Sequence, residues 1–470
     1  MQSCNQFLYT DSRRGLLRSA ACGFAQIGLT ALAAQTARSA DVQPSALPHL
    51  KPHAKRIIFL FMWGGPSHVD LFDHKPLLKQ FDGREVTAEA WKHGTPPGGR
   101  ILGSPFRFHR CGESGVEISE LFPSLAQHAD RLCVIRSMHT DGSAHGEALL
   151  NLHTGSSTFL RPSVGAWISY GLGAETENLP GFVTISPPRG HGGVQNYGSA
   201  FLPARHQATA IGAAEIPVAK ARISNLGNER IARPLQRRQL DLIQTLNHSH
   251  LQASGADSGI EGLISSYELA FRMQTSLPGL LGLEDETEAT LAMYGIGDGP
   301  ADNFGRQCLL ARKLSEQGVR YIQASTDYTW DHHTQNNEGL RRECARVDRP
   351  IAALLHDLEQ RGLLDETLVI WGSEFGRTPT VENADGRNHH PAAFSIWMAG
   401  GGIRGGLTYG ATDDFGFQPV DRPMHMHDLH ATLLYALGLD HTRLTWRYAG
   451  RDFRLTDVHG HPAVELFQSI

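Results

Sequence analysis

The sequence predicts an α/β fold in which helices cover both faces of a mostly parallel sheet. Continuous apolar runs of strand length recur along the chain, and segments with helical spacing separate several of them. Apolar runs without alternation are typical of parallel strands buried on both faces, and their alternation with helices is typical of a parallel sheet. The predicted strands are residues 56–63, 132–135, 182–185, 319–324, 368–371 and 394–398.

The segments between these strands carry the helical signal. Apolar residues recur every three or four positions in residues 304–317 and 351–358, which favours a helix in each. The first strand is followed by Gly64-Gly65-Pro66, a combination that ends a strand in a turn. Residues 81–108 are rich in Gly, Pro and basic residues and are predicted to form loops.

One helical region interrupts this alternation. Residues 235–294 have a mainly helical pattern, with candidate helices at 235–251 and 260–274. We expect this region to be inserted into the main domain as a cap or flank. The polar tail with aromatic residues, 447–459, is predicted to be an extended segment that packs on the body.

Composition is that of a globular protein. The chain has 470 residues, of which 40% are hydrophobic and 19% charged, and its formal net charge of -5 gives no indication of nucleic-acid binding. The 25 histidines justify a search for metal sites. Outside the leader, the cysteines have no spacing typical of a disulfide framework or a Cys-x-x-Cys metal pair, so we predict buried apolar residues. They are Cys111, Cys133, Cys308 and Cys344.

The first 40 residues have the features of an export signal. Arg13-Arg14 precedes an Ala- and Gly-rich, weakly apolar run at residues 19–34, the order found in twin-arginine signals. The run is too short and too mild for a good transmembrane helix. We therefore expect residues 1–40 to be removed, residues 50–470 to form the mature domain without a transmembrane segment, and the protein to reach the periplasm or cell surface.

Carboxylates and imidazoles follow several of the predicted strands. Ligands of open α/β sheets bind beyond the carboxyl ends of the strands, so these side chains are expected to meet at one edge. Such a cluster could hold one or two divalent cations and receive an anionic ester. The candidate metal ligands are Asp331, His333, Glu374, His389, His390 and, after the first strand, Asp70.

The chemistry of this set indicates a transition metal. A mixture of Asp, Glu and His suits Zn, Mn or Fe better than Ca or Mg, which favour oxygen ligands. His145 and Arg377 are candidate catalytic residues, and the planar guanidinium of Arg377 could clamp an anion. The nucleophile would be a metal-activated water or a hydroxyl such as that of Ser67 or Ser143.

Simpler explanations stay open for some of these residues. Gly64-Gly65-Pro66 also suits a plain tight turn, and Asp70 is equally consistent with a helix cap. The spacing His425-x-His427-x-x-His430 looks suited to metal binding, but an apolar helical pattern follows it. We therefore interpret that segment as a helix start with capping and surface histidines.

Taken together, the motifs resemble one known family over nearly the whole chain. It is the exported family called domain of unknown function 1501, which is common in planctomycete-type bacteria and often labelled sulfatase-like. The motifs that carry the resemblance are the Arg-Arg leader, Gly64-Gly65-Pro66-Ser67-His68-Val69-Asp70-Leu71-Phe72-Asp73, Trp330-Asp331-x-His333, Ser373-Glu374-Phe375-Gly376-Arg377-Thr378-Pro379 and Gly386-Arg387-Asn388-His389-His390-Pro391.

That family is similar to the alkaline phosphatase superfamily, which includes sulfatases and phosphoglycerate mutases. The resemblance implies a three-layer sandwich with a metal site at the strand ends, and a metal-dependent hydrolase acting on sulfate or phosphate esters, such as a sulfated glycan. Residues 367–376 look like the superfamily strand that usually ends in Ser-Asp-His-Gly, but Glu374 replaces the Asp and Phe375 replaces the His.

The nucleophile position departs further from the superfamily. Sulfatases carry Cys or Ser in a Cys/Ser-x-Pro-x-Arg segment nine residues before a Thr-Gly, whereas His145 lies nine residues before Thr154-Gly155. The usual Asp directly after the first strand is replaced by Trp63-Gly64. Hydrolysis by activated water is one interpretation. The alternative is a catalytically inactive binding module for an anionic glycan or a protein partner in the periplasm or at the cell surface.

Overall fold

The computed structural model describes residues 48–221, 231–254 and 258–469. The predicted leader, residues 1–40, lies outside the described residues. None of the described helices is both long enough and apolar enough to cross a membrane.

The chain divides into two compact units. The larger unit comprises Ala46–Leu444 and Arg454–Ile470, and it contains every element labelled below. The smaller unit includes the antiparallel pair Trp446–Tyr448 and Arg451–Phe453. The tail that the sequence predicts to be extended therefore begins as a hairpin.

Within the described residues, nine strands form the central sheet. In chain order they are β1 (Arg56–Phe61), β2 (Leu132–His139), β3 (Phe182–Ile185), β4 (Thr209–Ile211), β5 (Tyr321–Ser325), β6 (Thr367–Gly372), β7 (Phe394–Ala399), β8 (Leu407–Tyr409) and β9 (Met424–His425). All six predicted strands lie in this sheet. The other three strands have only two or three residues, too few for an apolar pattern to show.

The order of the strands is β8-β2-β7-β6-β1-β5-β3-β4, and β9 also pairs with β2. β7 runs antiparallel to β2 and β6, whereas the other pairs in this sheet are parallel. The prediction of a mostly parallel sheet is confirmed. Because β7 is reversed, its first residues lie at the edge where its neighbours end.

The longer helices are α1 (His145–Thr154), α2 (Val164–Leu172), α3 (Arg233–Ser254), α4 (Ser258–Leu281), α5 (Asp302–Glu316), α6 (Asn336–Gln360) and α7 (Met426–Ala436). Short helices span His68–Leu71, Pro76–Gln80 and Glu288–Met293. The helices predicted between the strands are present as α5 and α6. The predicted helical region contains α3, α4 and the last short helix, while residues 81–107 contain no helix or strand.

Helices cover the sheet on both faces. Ile58 of β1 belongs to one buried cluster with Leu309 of α5 and Ile351 of α6. Side chains alternate along a strand, so Phe61 of β1 points to the opposite face. There its ring lies 5.1 Å from the ring of His153 on α1. Burial of apolar side chains on both faces explains why β1 is a continuous apolar run.

His430, on α7, is a buried histidine that holds no charge. It is 1% exposed, and its Nε2 lies 2.7 Å from the carbonyl oxygen of Leu152. Burial lowers the pKa of His430 to about 3. In the unfolded chain a histidine binds a proton below about pH 6.5. Folding stability from this residue is therefore complete above that pH and is lost as the pH falls toward the folded pKa.

We expect acidification from pH 7 to pH 5 to reduce the free energy of unfolding by about 2 kcal/mol through His430. The variant His430→Gln does not titrate, so its urea midpoint should fall less over this range than that of the parent protein. Urea unfolding at the two pH values measures both declines. Equal declines in the two proteins would show that His430 is not the source.

Candidate metal centre

The candidate site lies at the carboxyl edge of the central sheet. Asp331 and His333 follow β5, and Glu374 follows β6. His145 begins α1 after β2, and His389 lies shortly before β7. The reversed direction of β7 brings its beginning to the ends of β2 and β6. Five residues singled out from the strand ends therefore lie together.

Three imidazoles converge on one carboxylate oxygen, Oδ1 of Asp331. The Nε2 atom of His333 lies 3.0 Å from it, and the Nε2 atoms of His145 and His389 each lie 3.3 Å from it. The Nε2 atoms of His333 and His389 are 3.0 Å apart. Two imidazole lone pairs this close repel each other unless a proton or a cation lies between them. The arrangement is that of ligands around a cation.

The other ring nitrogen of each histidine faces a hydrogen-bond acceptor. The three contacts of Nδ1 are His145 with Oε1 of Glu374 at 2.6 Å, His333 with Oε2 of Glu382 at 2.6 Å and His389 with the carbonyl oxygen of Ser143 at 2.9 Å. Such acceptors hold the ring proton on Nδ1 and direct an unprotonated Nε2 to the centre. Metal-binding histidines have this same arrangement.

Asp331 is held in its ionised form. Burial raises its pKa, but the adjoining imidazoles of His145 and His389 and the charge of Arg377 hold the pKa of Asp331 far below its usual range. The hydroxyl of Tyr328 donates to Oδ2 of Asp331 at 2.6 Å, and Arg377 pairs with Oδ1. The carboxylate is therefore available as an anionic ligand at any physiological pH.

The donor set fits a divalent transition metal. One ligand atom each of His145, Asp331 and His389 lies within 4.8 Å of the other two. The Nε2 atom of His145 is buried and makes no hydrogen bond, which is unfavourable unless a cation binds it. Imidazole with carboxylate suits Zn, Mn or Fe. The side chain of His333 is 35% exposed, so the centre is open to solvent on that side.

Glu374 lies behind the ligands. Its side chain is fully buried, and it accepts hydrogen bonds from Ser373 Oγ at 2.5 Å and from the Gly64 amide at 3.1 Å, besides that of His145. Gly64 has φ +123°, and a Cβ there would lie 2.7 Å from the backbone nitrogen of Asp331. The turn after β1 thus needs glycine to approach the centre this closely.

A family model described as "Protein of unknown function (DUF1501)" matches residues 54–467. The chain belongs to this family. The resemblance found in the sequence motifs is confirmed. No curated protein matches this DUF1501 chain.

Solved structures similar to this DUF1501 chain include a sulfatase and an alkaline phosphatase. Ps i-CgsB in complex with k-i-k-neocarrahexaose has a TM-score of 0.37 at 10% identity, covering 83% of this chain and 72% of that one. The PsFucS1 sulfatase from Pseudoalteromonas sp. has 0.35 at 12%, covering 87% and 71%. Alkaline phosphatase from the Antarctic bacterium TAB5 has 0.35 at 12%, covering 83% and 99%. Likenesses this weak carry no argument about activity.

Asp70, a predicted metal ligand of this DUF1501 chain, and Ser67, a predicted nucleophile, lie in a buried cluster separate from the metal centre. Asp70 is fully buried and pairs with Arg387, whose Nε and Nη2 lie 2.7 and 3.1 Å from its two oxygens. The Ser67 hydroxyl and the Asn336 amide also donate to Asp70, at 2.6 and 3.2 Å. Burial raises the pKa of Asp70, but Arg387 more than offsets this and lowers it. The expected ligand and nucleophile roles do not fit these contacts.

His390 points away from the centre. In the pair formed by Gly376–Arg377 and His389–His390, adjacent residues face opposite sides, so only His389 faces Asp331. His390 Nε2 lies 2.7 Å from the carbonyl oxygen of Phe417, and its ring stacks on that of His68. Burial lowers the pKa of His390 to about 3. It is a neutral packing residue rather than the predicted ligand.

Arg377 supports the site from within. Its guanidinium is fully buried and donates to the carbonyl oxygens of Gly65, Arg387 and Gly64, besides pairing with Asp331. With its nitrogens engaged in this way, it has no free face for a substrate anion. The predicted clamp role is therefore replaced by a positioning role, in which Arg377 fixes Asp331 against the turn after β1.

Three neighbours of the centre were missed by sequence reasoning. Tyr328 hydrogen-bonds to Asp331, and Glu382 lies against His333. The ring of His191 stacks on that of His145 with ring centroids 5.3 Å apart. His191 has φ +49°, a value uncommon outside glycine. The sequence feature that could have identified His191 is Gly190-His191-Gly192-Gly193, a glycine-rich stretch shortly after a predicted strand.

We expect Glu374→Gln to weaken metal binding by about 10- to 100-fold, because outer partners of metal-binding histidines have effects of that size. The amide cannot hold the Nδ1 proton of His145 as a carboxylate does. Competition with a chromogenic chelator would measure the affinity, and metal content at saturation should stay unchanged. Loss of stoichiometry at saturating metal would instead make Glu374 a direct ligand.

Proposed function

We propose that this protein is an exported, metal-dependent hydrolase that cleaves sulfate or phosphate esters at the centre formed by His145, Asp331, His333 and His389. The observation that carries the proposal is the convergence of three Nε2 atoms on Oδ1 of Asp331, with each Nδ1 facing an acceptor. The choice of an anionic ester rests on the family resemblance, so the experiment must test it separately.

Each residue of the centre would either bind the metal or orient a residue that binds it. A divalent metal bound there supplies a Lewis acid and lowers the pKa of water. His145, His333 and His389 would bind it through Nε2, and Asp331 through Oδ1. Glu374 and Glu382 keep two of the rings in the binding tautomer. The exposed side, at His333, is where an ester would approach.

Water is the nucleophile that these contacts favour. Ser67 is 1% exposed and its hydroxyl donates to Asp70, so it is unavailable for attack. His145 has the spacing from Thr154-Gly155 that the resemblance implies for a sulfatase nucleophile, but both of its ring nitrogens face carboxylates of the centre. These contacts exclude Ser67 and His145 as nucleophiles, which supports attack by water.

The test begins with elemental analysis of the mature protein purified without chelators or a histidine tag. We expect at least one equivalent of a transition metal. An aryl sulfate, an aryl phosphate and a neutral aryl acetate are then compared, and an anionic ester should be turned over, with loss on chelation and recovery on adding metal back. A bound metal without turnover would favour the binding-module alternative, and absence of metal would refute the centre.

Export is a separate part of the proposal. Fused to a reporter that is exported only when folded, residues 1–40 should direct it out of the cytoplasm. The double change Arg13→Lys/Arg14→Lys should block this, because the twin-arginine route requires the arginine pair. Continued export of the changed fusion would contradict the assignment.

A further inference from the structure

A second group of histidines lies at the same edge of the sheet, beyond β2 and β9. It surrounds a cavity of about 400 Å³, which we call the second histidine cavity. The residues that line it are Asp141, His425, His427, Asp428, Val458, His459, Gly460 and His461. These residues come from three separate segments: the loop after β2, the beginning of α7 and the C-terminal tail. The proposed hydrolase uses none of them.

His427 is the fixed member of this group. It is 8% exposed, and its Nδ1 atom is buried without a hydrogen-bond partner. Its ring stacks on that of His459 with centroids 5.1 Å apart and lies 5.0 Å from that of His425. An imidazole with an unused nitrogen is suited to binding a metal.

His425 has a supporting role beside it. Its Nδ1 accepts a hydrogen bond from the His427 amide at 3.2 Å and caps α7, as the sequence pattern indicated. Nε2 of His425 therefore carries the ring proton, and it lies 3.3 Å from Oδ2 of Asp141. The ring thus lies beside the Asp141 carboxylate at the lining of the cavity, a position that outer partners of metal ligands occupy.

The charges of the cavity favour a cation over an anion. Asp141 and Asp428 both line it, and two carboxylates would repel a bound anion. Imidazole together with carboxylate selects a transition metal rather than Ca or Mg. The ligand atoms of His427, His459 and Asp141 do not all lie within 4.8 Å of one another, so a bound cation would draw the exposed side chains of His459 and Asp141 toward His427.

We propose that His427, His459 and Asp141 form a second binding site for a divalent transition metal, here tested with Zn²⁺. A metal bound there would join the loop after β2, the beginning of α7 and the C-terminal tail. The site is independent of the proposed hydrolase, and its expected effect is on stability rather than on turnover.

The test uses the full mature chain carrying His389→Ala, which disables the first centre. We expect calorimetric titration to give about one equivalent of Zn²⁺ on this background, with a rise in Tm. Adding His459→Ala should weaken this binding by at least tenfold, and the fold should be retained because the side chain is exposed. Adding His109→Ala instead, another exposed histidine, should leave the binding unchanged.

Two results would overturn the proposal: no Zn²⁺ uptake on the His389→Ala background, or equal affinity with and without His459→Ala. Failure of the proposed hydrolase centre would be distinguished from failure of the second site. The single variant His459→Ala keeps the first centre intact, so that centre can be tested by itself. If only the hydrolase proposal fails, Zn²⁺ binding that depends on His459 persists without ester turnover.

Discussion

The variant His389→Ala is expected to lose one equivalent of bound metal and all measurable ester turnover. The change removes one of three imidazoles at Oδ1 of Asp331 and opens the ligand set on its solvent side. Changes to outer partners already cost 10- to 100-fold in metal affinity, so loss of a ligand should cost more than about 100-fold. Elemental analysis and chelator competition measure this directly. The side chain of His389 is partly exposed, so the fold should survive.

The next residue in the chain provides a matched control. His390→Ala removes the same side-chain type one position away, but on the face turned from the centre. We expect normal metal content and turnover, with some loss of stability because the Phe417 carbonyl loses its partner. If His390→Ala lost the metal and His389→Ala kept it, the assignment of the two faces would be reversed.

The variant Asp70→Asn is expected to have the largest effect on stability. It leaves the buried guanidinium of Arg387 without its carboxylate, and both side chains are fully shielded from solvent. Removal of one partner from a buried ion pair costs about 3–5 kcal/mol. Urea unfolding at pH 7 should show a loss of that size, while metal content measured well below the unfolding transition should be unchanged.

An exposed pair serves as the comparison. Asp414 pairs with Lys92 at 3.1 Å, and their side chains are 56% and 73% exposed. Asp414→Asn should therefore change the free energy of unfolding by less than about 1 kcal/mol. Loss of metal from Asp70→Asn with little change in stability would return Asp70 to the ligand set and contradict its structural role.

The long strands of this fold are predictable from the sequence because burial on both faces makes each a continuous apolar run. The direction of β7 is not predictable in this way, since an apolar run has the same pattern in either direction. The two-residue strand β9 leaves no pattern at all. Direction and pairing depend on tertiary contacts between distant segments.

The candidate site shows a similar division. Asp331, His333 and His389 could be chosen because they follow or precede strand runs at one edge. The sequence could not separate His389 from His390, because their facing depends on a two-residue pairing with Gly376–Arg377. It also could not assign Asp70, because its partner Arg387 lies 317 residues further along the chain. Buried charges reveal their role only through such partners.

The position of β1 in the sheet has a consequence for biosynthesis. Of the strands in the central sheet, β1 is the first to leave the ribosome. It lies between β5, which ends at Ser325, and β6, which ends at Gly372. At the usual rate of translation, this apolar segment waits roughly 15 to 60 s for its neighbours. During that time it is a site for aggregation or for chaperone binding. A nascent-chain experiment should therefore find β1 protected from proteases only after residue 372 has emerged.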